Sequence, residues 1–167
     1  MDVFSDQDLY QKLLESSFRY VSFRPRSEKE MRDFLLKKLQ RRKVSDASIV
    51  ERVLTRLRDL GYLDDAKFVS WWIEQRESHR PKGARIIKQE LLVKGISRDI
   101  IDEQVKRCQS SSGREQNSII SEDELARKAI AKKLSLWQKL SRLEQKKKIY
   151  GFLGRRGFDA DTISHVI

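Results

Sequence analysis

One cysteine, two histidines and two prolines are spread over 167 residues, and each scarcity excludes something. A lone Cys108 can form no intramolecular disulfide, so no disulfide framework holds the fold, and a reducing cytoplasm is the expected compartment. His and Cys are too few and too far apart to show any metal-ligand spacing, so neither a zinc site nor a cofactor is expected. No uninterrupted apolar run approaches the roughly 20 residues of a membrane-spanning helix. The start Met1-Asp2-Val3-Phe4-Ser5-Asp6 is acidic where a secretory leader is basic and then apolar. No membrane partner is expected. GxxxxGK[ST] and GxGxxG are both missing, and Gly151, Gly154 and Gly157 follow no predicted strand. Without a recognisable Ser/His/Asp or Cys/His arrangement, catalysis is not expected either.

What is present is positive charge. Lys and Arg number 36 against 25 Asp and Glu, a net charge of +11. The excess is +5 over residues 111–167, +4 over 1–60 and +2 over 61–110, so the C-terminal third is the most basic. A basic chain without catalytic chemistry points to a polyanion, or to a protein that carries one, as partner.

Apolar spacing is helical almost throughout, as in Ile101, Val105 and Cys108 at i, i+4, i+7. Ser27-Glu28-Lys29-Glu30 and Ser121-Glu122-Asp123-Glu124 read as capping boxes, the second with Ile120 and Leu125 as a hydrophobic staple. Asp64 and Ser97 read as simpler caps, and Gly61, Gly95 and Gly157 fall where a left-handed residue ends a helix. About nine helices and no sheet follow.

Laid on itself, the chain repeats. A shift of 56 carries Arg24-Pro25-Arg26 onto Arg80-Pro81-Lys82, and Met31, Leu35 and Leu36 onto Ile87, Leu91 and Leu92. A further 62 carries Arg80, Ile87, Leu91, Gly95 and Ile96 onto Arg142, Ile149, Leu153, Gly157 and Phe158. The expected fold is all-α, an elongated and curved array of three tandem three-helix repeats at 5–61, 62–109 and 121–167. A polar linker is expected at 110–120, with flexibility concentrated there. A unit of about 50 residues is marginal alone, and stacking on a neighbour supplies the missing burial. Ile86, Leu92 and Leu36 lie off the inner stripes and are expected to make contacts between repeats.

Gly61-Tyr62-Leu63-Asp64-Asp65-Ala66-Lys67-Phe68, the run through Arg76 to Lys82-Gly83, and Ile87-Lys88-Gln89-Glu90-Leu91 with Lys94-Gly95-Ile96 resemble the signature of the RecX family. Arg24-Pro25-Arg26-Ser27-Glu28-Lys29-Glu30-Met31-Arg32 resembles its R-x-R-S-x-x-E-L-R segment, and Arg155-Arg156-Gly157-Phe158 its R-G-F ending. The resemblance covers nearly the whole chain. It implies a curved array lying in the groove of the RecA filament on single-stranded DNA, suppressing ATP hydrolysis, filament extension and strand exchange in recombination and repair. RecA, single-stranded DNA and, as a further candidate, double-stranded DNA are the implied partners of a monomeric, non-catalytic regulator.

The binding candidates are cations. Arg24, Arg80 and Arg142 recur at one place, read as just ahead of each second helix. A cation there sits against the helix dipole, and an anion shared with the helix amides explains it. The alternatives are a carboxylate on a protein partner, or that these arginines pin the turn. Arg26 and Lys82 follow in the first two repeats, and Lys146, Lys147, Lys148, Arg155 and Arg156 in the third. Arg32, Arg76, Arg85 and Lys88 lie in the same segments and complete the set.

Other conspicuous residues have structural explanations. Phe68, Val69, Trp72 and Ile73 fit a buried helix face. Trp71 reads as a rim aromatic, with base stacking the alternative, and Trp137 is open in the same way. His79 reads as a solvated turn residue, and Cys108 as a small buried hydrophobe. Asp64 and Asp65 fit helix capping better than metal binding, and Glu90 fits an ion pair with Arg85, Lys88 or Lys94. The rival function is a free DNA-binding helix-turn-helix. Against it, the third helices open on Ser45-Asp46-Ala47-Ser48 and Asp159-Ala160-Asp161, whose carboxylates repel a duplex.

Overall fold

The computed structural model describes residues 6–110 and 121–167, with the backbone alone at 107–110. Apart from the backbone of Ser110, which is helical, the expected linker at 110–120 and the side chain of Cys108 lie outside what is described. Among the described residues all regular structure is helical. The first repeat holds α1 (Asp6–Ser22), α2 (Glu28–Arg41) and α3 (Ser48–Asp59). The second holds α4 (Asp65–His79), α5 (Ala84–Val93) and α6 (Arg98–Ser110), and the third α7 (Glu122–Trp137), α8 (Arg142–Arg155) and α9 (Ala160–Val166).

Each repeat closes over its own core. Leu9, Leu13, Met31, Leu35, Leu39, Val53 and Leu57 fill the first, Phe68, Val69, Ile87, Leu91 and Ile101 the second, and Leu125, Ile130, Ile149, Leu153 and Ile163 the third. The positions that the internal repeat superposes are therefore the same structural positions. Met31, Ile87 and Ile149, and one turn later Leu35, Leu91 and Leu153, are all buried. Truncating such a leucine to alanine costs about 2–5 kcal/mol.

Helix ends follow local chemistry. Ser27 and Asp64 each accept a bond from the amide three residues on. Ser121 with Glu124 makes a full capping box. Gly61, Gly95 and Gly157 take left-handed backbone at φ 75°, 83° and 86°. At Ser27 the box is only half made, because Glu30 turns outward to Arg24 and Lys94. A further box went unread in the sequence: Ser141-Arg142-Leu143-Glu144 starts α8, with both reciprocal bonds present.

That box changes the repeat comparison. The cap precedes Met31 and Ile87 by one turn, at Ser27 and Gly83, but precedes Ile149 by two, at Ser141. Arg142 is thus the first residue of a helix that starts a turn earlier relative to the buried layer, whereas Arg24 and Arg80 stand in the connection ahead of theirs. The expectation that all three share one place is corrected by this added turn.

Neighbouring repeats meet in one manner. The amino end of the second helix of one repeat abuts the carboxyl end of the second helix of the next, and a carboxylate from the next repeat's first helix caps the leading amide. Glu28 N donates to Asp65 Oδ1 at 2.9 Å, and Ala84 N to Glu122 Oε1 at 2.7 Å. Alongside, Ser27 Oγ donates to Lys94 O at 2.7 Å, and Gly83 N to Arg156 O at 2.9 Å. Of the three off-stripe residues, Ile86 makes an inter-repeat contact, packing over Gly157. Leu36 and Leu92 are each 40% exposed and sit on the surface instead.

Candidate functional site

The fourteen candidate cations divide by what neutralises them. In the first repeat, Arg24 donates twice to Glu30, at 3.0 and 2.9 Å, and Lys94 of the second repeat reaches the same carboxylate. Glu30 is 13% exposed at its side chain. Burial alone would raise its pKa, but the bonds from Arg24 and Lys94 outweigh that and hold it at about 2. Arg26 lies 3.8 Å over the Tyr20 ring and donates to Tyr20 O, with burial and then Arg24 lowering its pKa. Arg32 bridges Glu28 and Glu51.

In the second repeat Glu90 is the hub. It accepts from Trp72 Nε1 at 3.0 Å, from Arg76 Nε at 2.7 Å and from Lys82. Burial pushes its carboxyl up, and these three donors bring it below the ordinary range. Its partners are not those expected, for a geometric reason. Arg85 points to Gly154 O at 3.5 Å, Lys88 pairs with Asp102 at 2.7 Å, and Lys94 crosses to Glu30. Arg80 is exposed and follows α4.

The third repeat is different. Among the described residues, nine Lys and Arg side chains of the first two repeats lie against carboxylates. No Lys or Arg between 121 and 167 makes such an ion pair among the described residues, although Lys128 is near enough to Glu77, and Lys148 to Glu144, to favour their charged forms. Arg142, Lys146, Lys147, Lys148 and Arg155 are all exposed on α8. Arg156 belongs elsewhere: it lies 4.5 Å over Phe152 and donates to Pro81 O at 3.2 Å, holding two repeats together. Sequence reasoning passed over Arg127, Lys128, Lys132 and Lys133, all exposed on α7. Their signal was available as like-charged pairs about one turn apart with no acidic residue between.

The aromatic and acidic residues settle into structural roles. Phe68 and Val69 are buried, and Trp71, Trp72 and Ile73 pack half-buried against them. Trp71 also lies under Arg24, at 5.8 Å. Trp137 meets Phe152 edge-on at 5.8 Å, and His79 is the exposed last residue of α4. Asp64 caps its own helix while Asp65 caps α2, so the two carboxylates diverge. Asp46 and Asp159 likewise accept from amides at the starts of α3 and α9.

An array of three-helix units in which the last carries exposed cations without ion pairs among the described residues defines a class: an all-α tandem-repeat protein with a basic end. Family comparison gives the particular case. Residues 64–103 match a model described as RecX, second three-helix domain, and 121–167 one described as RecX, third three-helix domain. The regulatory protein RecX of Chlorobium phaeobacteroides is 33% identical over 93% of this chain and 91% of its own length. The regulatory protein RecX of Oceanobacillus iheyensis is 29% identical over the whole chain, which spans 56% of that relative. The crystal structure of RecX from Lactobacillus salivarius covers 96% of this chain and 95% of its own, with a TM-score of 0.73 and 21% identity. The chain belongs to the RecX family of regulatory proteins.

Proposed function

We propose that this protein is a non-enzymatic regulator, working in the cytoplasm as a monomer, that binds the RecA nucleoprotein filament and lowers its ATPase, its extension and its strand exchange. Family membership supports the regulatory role. The observation that carries the binding mode is the division of the candidate cations: in the first two repeats Arg24, Arg32, Arg76, Lys82 and Lys88 are paired with carboxylates within the fold, while Arg142, Lys146, Lys147 and Arg155 of α8 face outward with no ion pair among the described residues. A surface left in that state attracts polyanions and acidic protein faces over a Debye length of roughly 8 Å at physiological salt. Arg80, Arg85, Arg142, Lys146, Lys147, Lys148 and Arg155 are the candidates that remain available for it. Arg24, Arg26, Arg32, Arg76, Lys82, Lys88 and Arg156 contribute by holding the array in shape.

The helix-turn-helix rival is disfavoured by the capping carboxylates Asp46 and Asp159 at the helix ends that would have to enter a major groove. The test is RecA's single-strand-dependent ATPase with this protein titrated in below stoichiometry. Progressive suppression is expected. Unchanged activity at saturating protein rejects the reading, and sequence-selective binding to free duplex promotes the rival.

A further inference from the structure

The inner face of α8 is spent on the core through Ile149 and Leu153. Its outer face carries an unusual mixture. Leu143, Lys147, Tyr150 and Gly154 recur at i, i+4, i+7 and i+11, with Lys146 and Gly151 beside them, and so form one stripe. Leu143 is 65% exposed and Tyr150 49% exposed, while Lys146 and Lys147 are exposed and make no ion pair among the described residues; Lys148, one step further round the helix, acts on Glu144.

The two glycines make the stripe harder to explain as plain surface. A glycine inside a helix costs about 1 kcal/mol relative to alanine. Gly154 has nothing within 4 Å of where a Cβ would stand, and Gly151 has only the mobile end of Arg155, at 3.4 Å. Internal packing therefore does not require either one. What they do is leave a shallow, side-chain-free strip of backbone beside Tyr150. At its far end Arg85 of the second repeat reaches Gly154 O, which continues the line of cations across the repeat boundary.

We propose that this stripe holds a single nucleic-acid strand: phosphates lie along Lys146, Lys147 and Arg85, and an unstacked base packs on Tyr150 beside Leu143, over the bare backbone of Gly151 and Gly154. Charge complementarity chooses a polyanion over an apolar protein segment. The exposed aromatic with an open approach chooses a single strand, whose bases are free to stack, over a duplex, whose bases are not. This assignment rests on the polyanion reading above and names where on the chain the strand itself is taken.

The test uses the full chain and three fluorescent probes of equal length: oligo-dT, the corresponding abasic strand and a duplex. Replacing Lys146 and Lys147 together by Gln should weaken oligo-dT binding about ten-fold. It should also reduce the salt slope by about 1.4, since each phosphate neutralised on a single strand contributes roughly 0.7. Tyr150→Ala should weaken oligo-dT binding roughly ten-fold and leave abasic binding unchanged, and Tyr150→Phe should restore it. Unchanged melting of both variants keeps folding out of the result. Wild-type protein that suppresses RecA without binding oligo-dT overturns this site and spares the regulatory function. Binding as described, with RecA unaffected, does the reverse. Equal loss on abasic and oligo-dT probes for Tyr150→Ala overturns the stacking assignment. Loss of filament binding with oligo-dT binding intact shows a protein-docking face in place of a strand site.

Discussion

The two junctions of this array solve one packing problem with different chemistry. Between the first and second repeats the contact is made by side chains: Ser27 and Lys29 donate to the carbonyls of Lys94 and Val93, and Lys94 returns to Glu30. Between the second and third it is made by backbone, with Gly83 N on Arg156 O and the two glycines 83 and 157 in close approach. The first junction is adjustable, because flexible charged side chains fill it and respond to salt and pH. The second leaves no room for a side chain between Gly83 and Gly157. In the third repeat, where no further repeat meets that helix end among the described residues, α8 starts a turn earlier relative to the buried layer and supplies its own carboxylate, Glu144, where α2 and α5 borrow Asp65 and Glu122.

The largest effect is expected at Gly83. A Cβ there would stand 2.6 Å from Phe158 N and closer still to the Gly157 carbonyl, and a backbone cannot step aside as a side chain can. Gly83→Ala should destabilise by about 3 kcal/mol or more and separate the third repeat's unfolding from the rest. The equivalent change in the first junction, Ser27→Ala, removes a cap and one inter-repeat bond and should cost about 1–2 kcal/mol. Calorimetry of the two variants checks the contrast. Equal losses with one transition each would remove the distinction between the junctions.

Gly157→Ala comes next. It meets two penalties, a left-handed φ of 86° and the Ile86 side chain with its Cβ at 2.9 Å. Gly61, at φ 75° with nothing within 4 Å, isolates the first penalty. Gly61→Ala should cost about 1–2 kcal/mol, and Gly157→Ala roughly twice that. Shortening Ile86 to Ala should recover part of the excess in the Gly157 variant, as a coupling between contacting residues.

Those glycines also mark how far the sequence could be read. Period and capping gave the helices, because both are local, and the repeat gave Met31, Ile87 and Ile149 as one buried layer. The left-handed turns were legible because only glycine holds them without strain. Lys43, at φ 58°, takes the same conformation without the signal. What was not legible is long-range: that Glu30 leaves its capping role for Lys94 64 residues away, or that Glu122 caps a helix 38 residues before it. The recurrence of Arg24, Arg80 and Arg142 looked like a shared binding place. A partner for Arg24, and a turn added ahead of Ile149, are properties of the folded neighbourhood and leave no mark in spacing. The α8 box was legible all the same, since Ser141 and Glu144 obey the rule already applied to Ser121 and Glu124.

The charged junction should answer to acid. Glu30, held at about 2 in the fold, favours its charged form, so its contribution is fully present above the ordinary carboxylate pKa and fades as pH falls from about 4.5 towards 2. Asp65 runs the other way: burial raises its pKa, although the Glu28 amide opposes this, so its contribution is present at low pH and lost as pH rises through its folded value. Glu30→Gln should lower stability at neutral pH by about 1–3 kcal/mol and flatten the acid limb, with Arg24 and Lys94 left facing each other. Melting temperature between pH 2 and pH 7 checks this. An acid limb as steep in the variant as in the wild type would mean that the first junction does not depend on this carboxylate.

The smallest effect discriminates between two carboxylates in the same role. Asp65 and Glu122 each accept from the leading amide of a helix in the preceding repeat, and a negative charge there gains roughly 0.3–1 kcal/mol from the dipole. Asp65 is half-buried and spends part of that gain on desolvation, as its raised pKa records. Asparagine keeps an acceptor oxygen for Glu28 N and relieves the charge, so Asp65→Asn should be close to neutral, within about 0.5 kcal/mol. Ala84 N and its carboxylate stand in a more exposed place, without a resident Ser cap at Gly83, so Glu122 is the main side-chain acceptor for that helix end. Glu122→Gln should therefore cost more than Asp65→Asn, by a few tenths of a kcal/mol, and the difference should shrink as salt screens the exposed charge. If the order of the two losses were reversed at low salt, the backbone junction would prove the less electrostatic of the two at its helix cap as well as at its glycines.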